Sequence, residues 1–145
     1  MAITMGMVDL IKQTAADAVC PSGSTIKAAL IAPGASGSYG PSYPSPYVLG
    51  LGGDEVATAN GYTQGGEALT GRTVGPSGGK GWVDYQNVVW TAIGSLSAIG
   101  AVIYDATESN RIVGFVDFGG TKTASDADFT LQIPGDVGNG LVRIA

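Results

Sequence analysis

The amino-acid sequence predicts a mainly β fold, an antiparallel β-sandwich or barrel with one N-terminal α-helix and a long loop rich in proline and tyrosine. Short apolar segments recur from residue 82 onward, separated by Gly, Asn and Asp, which is typical of antiparallel strands joined by turns. Glycine contributes 24 of the 145 residues, a share that indicates many tight turns. The length suits a single domain, 1–145. No helical segment follows residue 87, so parallel βαβ units are not expected.

The helix is predicted over residues 3–19, with Thr4 as its N-cap. Apolar residues recur there at three- and four-residue steps, which places on one face Met5, Val8, Ile11, Ala15 and Ala18. We expect this face to pack on the protein's own sheet. Cys20, the only cysteine, is expected to be a small buried residue beside the helix end, and it leaves no intramolecular disulfide possible.

The strands differ in how strongly the sequence marks them. Residues 25–32 are almost continuously apolar, as in a strand buried on both faces. Two shorter, more polar strands are predicted at 55–62 and 67–74, followed by a flexible turn or exposed loop at 75–81. The main antiparallel block is 82–145, where strand segments are predicted at 82–85, 88–93, 98–104, 111–118, 129–133 and 141–144.

Residues 33–53 form a separate Pro/Tyr segment. Four prolines within fourteen residues, Pro33 to Pro46, exclude a central strand and favour an ordered loop or extended arm. Tyrosine offers a large contact area at low entropic cost and is enriched at interfaces. The candidate interface residues are therefore Tyr39, Tyr43, Pro44, Pro46 and Tyr47. The alternative is a loop folded over its own domain.

The residue types present argue against most enzyme classes. The chain has no histidine and one cysteine, so a Ser-His-Asp triad and a zinc site of Cys and His ligands are both excluded. The S-x-x-K pattern occurs at 24–27 and 77–80, in a predicted strand and a predicted loop, where it lacks the helical turn that makes such a pair work. We expect no catalytic site, no cofactor and no metal.

Paired carboxylates are the remaining chemical candidates. Asp54 with Glu55 and Asp126 with Asp128 are the closest in sequence, and the second pair resembles half of a calcium site. Solvated or turn-capping aspartates are the favoured interpretation of that pair. Asp117 lies in an apolar strand, so it is expected either at the exposed end of the strand or paired with Arg111 or Lys122.

The charge and hydropathy of the chain limit the kinds of partner that it is expected to bind. The net charge is −5, and the seven basic residues are scattered singly, which argues against nucleic-acid binding. No apolar stretch is long enough to cross a membrane, and the first residues lack the pattern of a signal peptide. Only 13% of the residues are charged, which suits a surface that is partly covered by protein partners.

One family resemblance adds to these observations. Residues 87–133, NVVWTAIGSLSAIGAVIYDATESNRIVGFVDFGGTKTASDADFTLQI, run from a strand with Trp to a strand ending in Ile-Tyr, a polar turn, a strand with Asp, and a strand opening at Asp-Phe-Thr. With the closing LVRIA and the early strand IKAALI at 26–31, this order resembles a group of small phage virion structural proteins. The Pro/Tyr segment departs from that group.

The resemblance implies a non-enzymatic decoration, or cement, protein of a bacteriophage on the capsid surface. Its expected partners are the major capsid protein and further copies of itself as a homotrimer, with no nucleic acid and no membrane. Two alternatives stay open: a neck or tail connector or fibre-base protein, and a carbohydrate-binding module for host attachment that uses Trp82, Tyr43 or Tyr47.

Overall fold

The structure is a computed structural model that describes residues 7–46, 48, 51–134 and 140–145. These residues form antiparallel sheets and one α-helix, which confirms the mainly β class and is consistent with a β-sandwich. The elements are α1 (Asp9–Val19), β1 (Ile26–Ile31), a short 3-10 helix (Gly52–Asp54), β2 (Glu67–Ala68), β3 (Thr73–Ser77), β4 (Lys80–Asp84), β5 (Val88–Thr91), β6 (Ser95–Asp105), β7 (Arg111–Ser125), β8 (Asp128–Leu131) and β9 (Val142–Ile144).

The contacts divide the chain into two compact units. The larger unit comprises residues 24–69 and 87–131 and holds a four-stranded sheet in the order β2-β1-β6-β7 and a two-stranded sheet of β5 and β8. The smaller unit draws its described residues from 7–23, 70–86, 132–134 and 140–145 and holds α1 with the sheet β3-β4-β9. The prediction of a single domain stays a prediction.

The core of the larger unit follows the apolar pattern of its strands. All residues of β1 except Lys27 are buried, as the continuous apolar run predicts. In β8 the side chains of Phe129 and Leu131 are buried and that of Thr130 is exposed, which confirms the predicted alternation. Facing them in β5, Trp90 is buried and its ring lies edge-on to Phe129 at 6.3 Å.

Three local predictions are wrong. The single strand predicted at 67–74 is instead β2 and the start of β3, which belong to different sheets, and the chain turns between them at Gly71 with positive φ. Residues 55–62 form only isolated bridges, Ile31 to Glu55 and Ala59 to Tyr62, because Asn60 and Gly61 turn the chain with positive φ. Residues 75–81 are not a flexible loop: they continue β3 into β4 as a hairpin whose turn is Gly78-Gly79. Glycine there supplies the positive φ that a two-residue hairpin turn requires.

In the smaller unit, α1 lies directly on β4. A Cβ atom at Gly81 would overlap the backbone of Lys12 and Gln13, so the helix approaches this closely only because residue 81 is glycine. Lys12 donates from Nζ to the carbonyl of Gly79 at 2.5 Å. At the other end of α1, Arg72 forms an ion pair with Asp17 and donates to the carbonyl of Cys20, which satisfies the helix C-terminus.

The orientation of α1 contradicts the sequence prediction. Val8, Ile11, Ala15 and Ala18 face solvent, while Ala16 and Cys20 are the buried residues of this segment. The reason is the close approach at Gly81, which leaves room for small side chains and excludes the large apolar ones from the inner side. Cys20 is buried at the helix end as predicted. The predicted Thr4 cap and Met5 lie outside the described residues.

The Gly81 contact predicts a specific sensitivity to one methyl group. Gly81→Ala should lower the free energy of unfolding by about 2–3 kcal/mol, because the added Cβ pushes α1 off the sheet. Chemical denaturation measures the loss. Gly114→Ala is the matched control in β7, since a Cβ there meets nothing, and it should change stability by no more than about 0.5 kcal/mol. Equal effects of the two variants would contradict the packing described here.

Candidate contact surface

The described part of the Pro/Tyr segment, residues 33–46, 48 and 51–53, lies over its own sheet. Its backbone bonds to the edge of β7: the carbonyl of Pro46 accepts from the amide of Ile112 at 2.8 Å, and the amide of Val48 donates to Asn110 at 2.9 Å. This is a short extension of the sheet on the side of β7 that no other strand of the four-stranded sheet occupies. The segment is therefore an ordered loop rather than a free arm.

Three aromatic rings form the base of the segment. The rings of Tyr39 and Tyr43 are stacked at 5.8 Å with an interplanar angle of 20°. Both pack on Phe115 of β7, at 5.8 and 5.3 Å. Aromatic pairs in these offset and tilted arrangements stabilise beyond the apolar area they bury, so the cluster fixes the loop on the sheet.

Asp54 holds the start of the loop by accepting four hydrogen bonds, the longest of them from the Ser36 hydroxyl at 3.4 Å. Its carboxylate oxygens accept from the amide of Ser36 at 2.9 Å, the amide of Gly37 at 2.8 Å and the hydroxyl of Tyr39 at 2.7 Å. The backbone bond to Ser36 is the largest of the contributions that lower the pKa of this carboxyl, followed by the bond from Tyr39. Asp54 is thus a loop anchor, a role the sequence did not suggest.

Tyr39 shows the opposite shift. Burial, followed by the hydrogen bond to Asp54, raises the pKa of the Tyr39 phenol to about 12. A phenol that donates to a carboxylate resists deprotonation because ionisation would set two negative charges side by side. The hydrogen bond from the neutral Tyr39 phenol to the ionised Asp54 carboxylate is therefore kept between the lowered pKa of Asp54 and the raised pKa of Tyr39.

A groove of about 930 Å³ lies between the loop and the sheet. The loop side is lined by residues 37–41 and 43–46, and the sheet side includes Ile99, Phe115 and Asp117. Pro41, Pro44 and Pro46 are exposed, whereas Tyr39 and Tyr43 are half-buried. From Gly37 to Pro46 the chain carries no charged side chain. The loop side of the groove and its outer rim therefore present a surface without charged side chains, and Asp117 adds one carboxylate on the sheet side.

The five predicted interface residues are thus divided. Tyr39 and Tyr43 support the surface from below, and Pro44 and Pro46 form its exposed rim. Tyr47 lies outside the described residues. The interface role of these residues stays a prediction, and an outward contact would be made by the prolines rather than by the tyrosine rings.

The candidate carboxylates accept hydrogen bonds from backbone amides and side-chain hydroxyls. Beside Asp54, Glu55 accepts from the Tyr62 hydroxyl at 2.7 Å and the amide of Gly65 at 2.6 Å, so the two carboxylates fix different loops. Asp126 accepts from the amide of Gly94 at 2.7 Å, as a turn-capping residue does. Asp128 instead accepts from the hydroxyl of Thr91, its partner on the neighbouring strand, at 3.0 Å.

Asp117 is exposed and accepts from the amide of Gly119. It lies in the middle of β7 opposite Gly100, so the predicted strand-end position is wrong: the strand continues past Asp117 to Ser125. Among the described residues, no three side chains of His, Cys, Asp or Glu come together as a metal site. No helix in the described ranges is long and apolar enough to span a membrane. Comparison with known protein families, curated proteins and solved structures finds no match to this chain.

The Asp54 anchor predicts a local opening when its carboxylate is removed. Asp54→Ala should speed hydrogen exchange of the Ser36 and Gly37 amides by about tenfold or more, because both lose their acceptor. Asp117→Ala, which removes an exposed aspartate from the same groove, is the control and should leave those two amides unchanged. Equal exchange in wild type and Asp54→Ala would refute the anchor.

The same anchor responds to acid. A lowered carboxyl pKa means that the contribution of Asp54 to stability is complete above its ordinary value of 3.8 and is lost as the pH falls through the lowered value. The NMR shift of the Gly37 amide, followed against pH, should therefore change with a midpoint below 3.8. A midpoint at or above 3.8 contradicts the contacts described.

At alkaline pH the loop depends on Tyr39. Since the folded pKa of about 12 exceeds the ordinary 10.0, the stabilisation from the neutral phenol is complete below pH 10.0 and is lost as the pH rises towards 12. Burial raises the pKa of Tyr85 to about 12 as well, so the phenolate absorbance step near pH 12 should shrink by the share of one tyrosine in Tyr39→Phe. In Asp54→Ala that share should move only part of the way down, because burial is the larger cause.

Proposed function

We propose that this chain is a non-enzymatic structural protein of a bacteriophage virion, a capsid decoration protein that binds neighbouring major capsid subunits through the Pro/Tyr segment. The observation that carries the proposal is the rigid, uncharged rim formed by Pro41, Pro44 and Pro46 on a base of stacked tyrosines. The resemblance of residues 87–133 to small phage virion proteins indicates that the assembly is a phage capsid.

The physical reason is preorganisation. Ordering a loop on binding costs free energy for each residue fixed. Here the Tyr39–Tyr43–Phe115 cluster and the Asp54 hydrogen bonds already fix the loop in the free protein. Prolines restrict it further because their φ is locked. A partner subunit that covers the rim therefore gains apolar burial without the full ordering cost.

A connector protein in the neck or tail would use the same surface. Copy number distinguishes the two locations, because a decoration protein covers the shell in many copies and a connector forms one small ring. The glycan-binding alternative has less support from the geometry. Tyr43 packs on Tyr39 and Phe115, and Trp82 lies against Gly75 in the β3–β4 hairpin.

The proposal is tested on phage particles that lack this chain, incubated with the purified protein. The informative variant replaces the exposed rim, Pro41→Ser with Pro44→Ser and Pro46→Ser, because deleting residues 38–47 would also uncover Phe115 and disturb the fold. We expect wild type to bind in many copies over the shell and the triple variant to lose about tenfold or more in occupancy, in line with the loss of a few contact side chains.

Pro76→Ser in β3 is the control, since Pro76 is exposed and distant in sequence from the rim, and its occupancy should equal wild type. Labelled particles viewed by cryo-electron microscopy give location and copy number together. Absence of wild-type binding to particles, a single ring of copies, or full binding by the triple variant would each contradict the decoration role.

A further inference from the structure

The outer edge of β7, on the side away from β6, is open over residues 114–117. The loop pairs with this edge only at its start, where the amide of Ile112 donates to the carbonyl of Pro46. Pro44 and Pro46 have no amide hydrogen, so the loop cannot continue the ladder along the strand. Among the described residues, no backbone group of another segment bonds to the outer edge of residues 114–117.

The open stretch is the regular part of the strand. Residues 114–117 pair without interruption with residues 103–100 of β6, so alternate residues direct both of their backbone groups away from β6. Val113 forms a bulge just before the stretch, and residues 118–121 after it stand opposite Ile99 alone. Because bulges keep an edge from pairing, the stretch between them is the part of this edge that can accept a further strand.

The groove adds side-chain recognition to this edge. Phe115 and Asp117 lie two residues apart and so share one face of β7, and both line the groove. Phe115 forms an aromatic wall with the rings of Tyr39 and Tyr43. Asp117 is exposed and accepts from the amide of Gly119 through Oδ1. Its carboxylate is the only charged group among the described residues that line the groove.

The protein's own chain already pairs with this edge beside the open stretch. Pro46 and Val48 bond to Ile112 and Asn110, which is antiparallel pairing of an extended segment. A second extended segment continues the same interaction over the next four residues. The single carboxylate of Asp117, in a groove otherwise without charge, favours a cation on that segment.

We propose that the groove binds an extended segment of a virion subunit as an added strand on residues 114–117. The segment places an apolar side chain over Phe115 and, two residues away, a lysine or arginine beside Asp117. In strand addition the backbone hydrogen bonds give affinity and the side chains at alternate positions give specificity. The inference rests on the proposed function and deepens it by naming the chemistry of the partner segment.

The test is an NMR titration of the isotope-labelled full chain with the peptide acetyl-Lys-Thr-Val-Thr-Val-amide, whose lysine and valines fall on one face of a strand. The amides of residues 114–117 should shift and saturate with a dissociation constant of about 0.1–1 mM, a weak affinity that suits a short strand. The same peptide with a methyl group on every backbone nitrogen should bind at least about tenfold more weakly, because it has lost the amide hydrogens that pair with an edge.

The charge preference is measured with a second peptide. Glutamate in place of lysine should weaken binding about fivefold, because two exposed carboxylates replace an ion pair. In Asp117→Asn this preference should vanish while the lysine peptide still binds, since Asn keeps an oxygen for the Gly119 amide. Glu108→Gln is the matched control, because Glu108 is an exposed carboxylate outside the groove, and it should keep the preference.

Three results would overturn the proposal: no shift at residues 114–117 up to about 5 mM peptide, above the range of weak complexes, equal binding of the methylated peptide, or an unchanged lysine preference in Asp117→Asn. The comparison of peptides on wild type needs no variant, so it decides the question even if Asp117→Asn folds poorly. Wild type that binds particles but not the peptide overturns the added strand alone, whereas binding of the peptide without binding to particles overturns the decoration role.

Discussion

The contact between the backbone of α1 and Gly81 determines what the smaller unit presents to its surroundings. Because a Cβ at residue 81 would overlap Lys12 and Gln13, the helix can lie on β4 only with its small and polar side inward. Lys12, Asp17 and the carbonyl of Cys20 then find partners in Gly79 and Arg72. The large apolar side chains of Leu10 and Ile11, in the first turn, are left in solvent.

The larger unit carries an uncharged proline rim on a loop that is held in place by hydrogen bonds and ring packing. The Asp54 carboxylate holds the loop by accepting hydrogen bonds from loop amides, and the Tyr39–Tyr43–Phe115 cluster holds it by ring packing. The carboxylates that first appear as candidates for acid–base chemistry, Asp54 and Glu55, accept hydrogen bonds from loop amides and tyrosine hydroxyls instead. In both units, polar side chains thus hold the backbone through hydrogen bonds.

Much of the fold follows from the sequence because strand periodicity is a local signal. The continuous apolar run of β1 and the alternation of β8 both predict the observed burial. Non-local features were missed. The orientation of α1 depends on Gly81, some seventy residues away in sequence, so the apolar periodicity within the helix does not predict it. The sequence features that could have predicted it are the small residues Ala16, Cys20 and Gly81. The β3–β4 hairpin was missed because glycine was read as flexibility rather than as turn geometry.

The central proposal is that the Pro/Tyr segment is a preordered surface that binds a virion subunit. Hydrogen exchange of the full protein, free and bound to particles, tests it most directly. We predict that amides of the described residues 37–46 become more protected on particles, while those of the exposed β7 residues 119–123 stay unchanged. Protection that is identical in the free and bound protein, or that appears only at residues 119–123, would contradict the account.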